Sequence, residues 1–147
     1  MIASIIAFAV LFFKAPVMGQ HQIIKKDEIH FAGQGLGKAL QLAEKKQRLI
    51  FVDAYAAWCG PCKDLKKRTF TDPRVATYFN ANFVNISLDM EKGEGPKFAD
   101  LYDVDSYPTL LFIDSDGRLI KKSEGFLDAA ALIALAKSTN LKNQPSK

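Results

Sequence analysis

The chain has 147 residues, of which 48% are hydrophobic and 24% charged, enough for a buried core and too apolar for a disordered chain. The formal net charge of +4 comes from basic residues spread in short doublets such as Lys25–Lys26, Lys66–Lys67 and Lys121–Lys122, which reads as a solvated surface and not as a nucleic-acid interface. The two cysteines, Cys59 and Cys62, are too few for a disulfide-stapled scaffold; with only His21 and His30 beside them, no closed zinc site is expected.

Ile2–Phe13 is almost wholly apolar, short for a bilayer span and the right length for the core of a secretory signal. Val17–Met18–Gly19 supplies small residues for cleavage after Gly19, which would lower the net charge to +3 by removing Lys14. No Lys or Arg precedes the apolar run, so an uncleaved anchor and a cytosolic chain remain open beside the signal peptide over 1–19. Residues 20–28 read as a polar linker, 29–140 as the folded domain and 141–147 as a polar tail. A short first strand at Ile29–Phe31 is conceivable. Gly33–Lys38 fails the Walker pattern at Ala32 and Ala39, and fails the dinucleotide pattern at Lys38, so it reads as a lead-in to a helix.

That helix is predicted over Lys38–Gln47, with Leu36, Leu40 and Ala43 on one face. Leu49–Tyr55 is an apolar, β-branched run interrupted by Asp53 and predicts a buried strand. A helix is predicted from Cys59 to about Phe70. Asp72–Pro73 is a cap followed by a first-turn proline and opens another helix, with Val75, Phe79 and Tyr78 inward. Phe83–Asp89 alternates as a second strand, Glu91–Gly95 is a loop, and Pro96–Tyr102 is a short helix. Thr109–Ile113 and Arg118–Ser123 are strands joined by an Asp114–Gly117 hairpin turn. Asp128 caps a last helix with Leu132, Ile133, Leu135 and Ala136 on its inner side. Asn85–Ile86–Ser87 matches a glycosylation sequon but falls inside a strand. Strands joined through helices imply parallel pairing, and the hairpin adds an antiparallel pair. The expected fold class is α/β, a central mixed sheet flanked by helices on both faces.

Cys59 and Cys62 stand at a strand-to-helix junction. Two residues three apart in a first helical turn lie close enough for a disulfide. Free amides and the helix dipole favour a thiolate at Cys59, while Cys62 lies a turn further in and is more shielded. Cys59 then exchanges with a substrate disulfide and Cys62 resolves the mixed disulfide. Pro61 lacks an amide hydrogen, which a first turn tolerates. The spacing alone leaves open a permanent disulfide, two buried thiols or a metal site; haem attachment would need His where Lys63 stands.

Trp58-Cys59-Gly60-Pro61-Cys62-Lys63 resembles the active-site hexapeptide of the thioredoxin family. The resemblance continues in Phe51–Trp58 and in Val104–Phe112, and covers about Lys38–Ala136. Phe70–Val75 and Asp116–Gly117 are most similar to the secreted thioredoxin-like branch, which includes the periplasmic thiol-reducing domain of transmembrane disulfide-interchange proteins. The resemblance implies a thioredoxin fold with Asp53, six residues before Cys59, as a buried carboxylate. There it would accept the Cys62 proton. It implies a cis-proline at Pro108, a Tyr107 backbone that pairs with substrate, and Trp58 covering one side of the site, with Gly60 and Pro61 in the substrate-facing turn. Two positions depart from the pattern. Ala54–Tyr55 replaces the usual aromatic pair, and Asn85 stands on the strand where cytosolic thioredoxins often carry a lysine beside the carboxylate.

The expectation is a protein-disulfide reductase working through a redox-active Cys59–Cys62 pair with no other cofactor. The Gly60–Pro61 dipeptide is that of reducing thioredoxins. Partners would be disulfide-containing proteins and, outside the cytosol, a transmembrane thiol electron donor; no nucleic-acid partner is expected, and the chain should act as a monomer. The expected location is periplasmic or otherwise extracytoplasmic. An oxidase or isomerase, a non-catalytic binding module and a metal chaperone are the alternatives.

Overall fold

In the computed structural model of the chain, residues 27–142 except Gln34 are described. The central strand β1 (Leu49–Tyr55) is buried along nearly its whole length. It pairs in parallel with β2 (Phe83–Asp89) and antiparallel with β3 (Thr109–Ile113), and β3 pairs antiparallel with β4 (Leu119–Glu124). The four strands lie in the order β2-β1-β3-β4. Parallel neighbours need a crossover. The chain between β1 and β2 supplies it through α2 (Gly60–Asp64), a π-helical turn (Leu65–Thr69) and α3 (Pro73–Asn82). Helix α1 (Gly35–Lys46) precedes β1, α4 (Gly95–Tyr102) links β2 to β3, and α5 (Ala129–Lys142) follows β4.

Alternation along β1 sorts the core into two halves. Ile50, Val52 and Ala54 pack with Ala39 and Ala43 of α1 and with Phe98 and Tyr102 of α4. Leu49 and Phe51 pack instead with Leu65, with Val75 and Phe79 of α3, and with Leu132 and Ala136 of α5. Helices therefore cover both faces, as the sequence predicts. Phe51 meets Phe79 at 4.7 Å and Phe112 at 5.3 Å between ring centroids. Burying each such ring stabilises the fold by about 2 kcal/mol. By the alternation of the strand, Asp53 falls on the Phe51 side of β1.

Several boundaries differ from expectation. Helix α1 starts at Gly35, three residues before Lys38, because Glu94 Oε1 accepts the Leu36 N–H at 2.8 Å and Gly35 takes the left-handed φ of +73° that suits glycine. It ends at Lys46, since Gln47 has φ of 55°. Ile29–Phe31 is not a strand. It docks by single bonds, from Ile29 N–H to Phe70 O at 2.9 Å and from Ala32 N–H to Asn85 O at 2.8 Å. The helix expected over Cys59–Phe70 divides into α2 and the π turn. Strand β4 lies one residue later than Arg118–Ser123, alongside a register irregularity at Phe112/Ile113. Helix α5 runs through Leu141 and Lys142, residues expected in the tail. The leader over 1–19, most of the linker and residues 143–147 lie outside the described residues.

The loop from β2 to α4 is held close to the sheet. A Cβ at Gly95 would collide with the Asp89 carbonyl, backbone against backbone, so only glycine fits there. Asn85 is 4% exposed within β2, which removes the sequon as an acceptor site.

Candidate active site around the cysteine pair

β1 ends at Tyr55, and four residues later Cys59 is the N-cap of α2. Cys59 is extended at φ −71° and ψ 114°, and its Sγ accepts the Cys62 backbone N–H at 3.2 Å. Sulfur here takes the place that a Ser or Asp oxygen fills in ordinary caps. Cys59 and Cys62 form a disulfide with a Cα–Cα distance of 5.3 Å. Once reduced, a Cys59 thiolate would sit on the same amide at the start of the helix. Gly60 and Pro61 form the first turn of α2, and a side chain at Gly60 would meet nothing within 4 Å.

Both cysteines are 2% exposed and cluster with Ala56, Tyr55 and Tyr107. Trp58 stands at the rim, 66% exposed. Its indole Nε1–H donates to Glu91 Oε1 at 2.8 Å, and its ring meets Tyr107 edge-on at 6.1 Å. The Tyr107–Pro108 peptide is cis. The Pro108 carbonyl accepts the Gly125 N–H at 2.8 Å, which ties this turn to the end of β4.

Asp53 is fully buried. Its register partner on β2 is Ser87, whose hydroxyl donates to Asp53 Oδ2 at 2.8 Å. Lys66 Nζ lies 3.7 Å from the same oxygen. Oδ1 has no hydrogen-bond partner among the described residues. Burial pushes the Asp53 carboxyl above its ordinary range, and the Lys66 ammonium and Ser87 hydroxyl pull it back only in part. Tyr55 is raised as well, by burial first and then by the charges of Asp89 and Asp53.

Asn85, on the same strand, pairs with Phe51, two residues from Asp53. Its amide lies within 3.4 Å of the Phe79 and His30 carbonyls. Three residues of this neighbourhood went unread: Ser87, Lys66 and Glu91. Lys66 reads from sequence as one of a basic doublet, although it falls one helical turn beyond Cys62. Among the described residues, no group of three or more His, Cys, Asp or Glu could hold a metal ion. No helix among them is long and apolar enough to cross a membrane.

A mixed sheet with helices on both faces, and a Cys-Gly-Pro-Cys disulfide capping a helix after the central strand, define the thioredoxin-like class. The profile of the thioredoxin-like domain family matches residues 36–140, and the chain belongs to that family. It is similar to the thiol:disulfide interchange protein DsbD of Haemophilus influenzae, 37% identical over 93 residues, or 61% of this chain and 16% of that protein. The chain thus spans about one sixth of the length of such relatives. A solution structure of a candidate disulphide-isomerase from Bacteroides thetaiotaomicron superposes with a TM-score of 0.67 at 44% identity, covering 82% of this chain and 98% of that one. The oxidised C-terminal domain of DsbD from Neisseria meningitidis shares the fold at a TM-score of 0.61 and 23% identity, covering 76% and 98%.

Proposed function

We propose that this chain reduces protein disulfides outside the cytosol through the Cys59–Cys62 dithiol. The observation that carries the reading is the Cys59 cap: its Sγ is already seated on the Cys62 amide at the start of α2. In the reduced protein the Cys59 thiolate attacks one sulfur of a substrate disulfide. A mixed disulfide forms, and the other substrate sulfur leaves as a thiolate. Cys62 then gives its proton to Asp53 and attacks Cys59 Sγ, closing Cys59–Cys62 and releasing the second substrate thiolate. The substrate gains two electrons and the pair loses two. The pair is its own electron carrier, so the cycle needs no bound cofactor, only a dithiol donor to reduce it again. A transmembrane thiol carrier fits that role for a protein of the periplasm.

Tyr107 and Pro108 are assigned to substrate docking, with the Tyr107 backbone offered to an extended chain and Trp58 as a wall. Gly60 leaves open space for the incoming disulfide. The Gly60–Pro61 dipeptide supports the reducing direction. A second reading, isomerase, is favoured by the similarity to the Bacteroides thetaiotaomicron structure.

Equilibration of the Cys59–Cys62 pair against graded thiol buffers separates the two. A potential near about −270 mV supports the reductase; one between about −180 and −120 mV overturns it in favour of isomerase or oxidase work.

A further inference from the structure

The strand order fixes what borders the Tyr107–Pro108 turn. β1 and β2 run toward the cysteine end of the sheet, β3 starts there and β4 finishes there. In the order β2-β1-β3-β4, the chain leaving that end presents Glu91, Trp58, Pro108 and Phe126 in a row. Two exposed aromatic rings therefore flank the turn, and opposite charges hold them. Trp58 meets the Tyr107 ring and is hydrogen-bonded to the Glu91 carboxylate. Phe126, 38% exposed, follows Gly125, whose N–H donates to the Pro108 carbonyl at 2.8 Å. Over the Phe126 ring lies the guanidinium of Arg68, its Cζ 5.6 Å from the centroid, close enough for a cation–π attraction.

Arg68 comes from the π turn that follows α2. Its neighbour Thr69 ties that turn to the Phe126 loop, donating its hydroxyl to the Leu127 carbonyl at 2.8 Å. Arg68 is exposed, and among the described residues its guanidinium has no ion pair and no hydrogen bond. The acids on either side of Phe126 in sequence leave it so. Glu124 makes no ion pair with it, and Asp128 accepts the Ala131 N–H at the start of α5. A guanidinium held over a ring has already given up part of its freedom while its N–H donors stay unused. A carboxylate fits those donors at two points.

We propose that Arg68, held over Phe126, is a specificity-determining residue that receives an Asp or Glu side chain of the substrate, so that the preferred partners are proteins with an acidic residue within about three positions of the attacked cysteine. This rests on the reading of Tyr107–Pro108 as the docking turn for an extended substrate chain. Such a chain advances about 3.3 Å per residue, so a side chain a few positions from the cysteine passes the Phe126 loop. The opposite wall, with Glu91 behind Trp58, repels the same carboxylate and gives the chain one favoured direction.

The probes are short peptides with one central cysteine held as a disulfide with 2-mercaptoethanol. Glu, Gln or Lys stands two or three residues before or after that cysteine. Each is mixed with the reduced full chain and followed through a single turnover. Cys59–Cys62 closes, and the peptide and 2-mercaptoethanol leave as thiols carrying the two electrons. The Glu peptide, in one of the two placements, should react about threefold to fivefold faster than its Gln counterpart, the size expected of an exposed ion pair. The preference should shrink at high salt. Arg68→Gln should abolish it without changing the rate of the Gln peptide, Arg68→Glu should turn it toward Lys, and Lys67→Gln should keep it. A Glu preference missing from the parent, equal in Arg68→Gln, or lost equally in Lys67→Gln overturns the proposal. Binding of labelled peptides with Ser in place of the cysteine, followed by anisotropy on the oxidised chain, separates this from the reductase reading. If no peptide is reduced but the Glu peptide still binds the parent more tightly than Arg68→Gln, the reductase reading fails and the carboxylate seat stands. If that binding difference is missing too, both are overturned.

Discussion

The indole N–H of Trp58 donates a 2.8 Å hydrogen bond to Glu91 Oε1, so the loop after β2 holds the rim of the cysteine site. That loop is pressed against the sheet at Gly95, where no side chain fits. Trp58 is the chain's single tryptophan, so its fluorescence reports on this site with no second indole. Glu91→Ala should free the ring, raising the amplitude of its fast anisotropy decay. At this exposed position the bond is worth about 1 kcal/mol, near the low end for a charged acceptor, or about fivefold in KM for a protein disulfide. Glu91→Gln keeps an acceptor and should behave closer to the parent. Unchanged anisotropy in Glu91→Ala would show that Tyr107 alone fixes the ring.

The asymmetry of the cysteine pair has a direct readout. Cys59→Ser should reduce turnover of a protein disulfide to the buffer background, because the attacking sulfur is gone. Cys62→Ser should instead trap one equivalent of substrate as a mixed disulfide on Cys59, visible by intact mass. Partner binding that survives unchanged in Cys59→Ser, with no turnover above background in the parent, would point instead to a non-catalytic binding module, since the fold and rim stay intact.

Asp53 should make stability depend on pH. Burial raises its folded midpoint above the ordinary 3.8. The folded chain then binds that proton more tightly than the unfolded chain. The resulting stabilisation is complete below about 3.8 and is lost as pH rises through the folded midpoint. Asp53→Asn keeps the shape and an acceptor for the Ser87 hydroxyl. It should be the more stable protein at pH 8, by about 1.4 kcal/mol per unit of the upward shift, and the gap should close toward pH 3. Urea denaturation at a series of pH values measures this. A variant no more stable than the parent at pH 8 would mean that Lys66 and Ser87 outweigh the burial.

Asp72 behaves in the opposite sense. It caps α3, accepting the Arg74 N–H at 2.9 Å, and its carboxylate also holds the Arg74 guanidinium at 2.7 Å. That side-chain bond lowers its pKa to about 2. The cap's contribution is present above the ordinary 3.8 and is lost as pH falls toward about 2. Asp72→Ala should cost about 1 kcal/mol at neutral pH, the usual value of an N-cap, with little difference from the parent near pH 2. Thermal unfolding at both pH values is the measurement.

Much of the architecture was legible because its signals are local. The Asp72–Pro73 cap and the Asp114–Gly117 turn sit where their residue types demand; Asp114 Oδ1 accepts both the Asp116 and Arg118 N–H groups. The cysteine cap is local too, joining residues three positions apart in one turn. Strand limits were read nearly to the residue for β1, β2 and β3, since an apolar run ends where polar residues and turns begin.

The neighbours of Asp53 were not legible. Ser87 faces it only because β2 pairs with β1 in one parallel register, and a slip of two residues would have brought Asn85 there instead. Lys66 reaches it from the π turn that begins at Leu65, a change of helix geometry that propensity does not encode. Glu91 meets Trp58 across 33 positions of sequence.

By itself, the sequence determined the order of elements, the Cys59–Cys62 pair and its place at a helix start, because capping, periodicity and short covalent spacing act over a few residues. Only the tertiary structure decided which groups surround the buried carboxylate. Strand register, helix phase and loop packing are set jointly by the whole core, and a few ångströms in any of them exchange one polar neighbour for another.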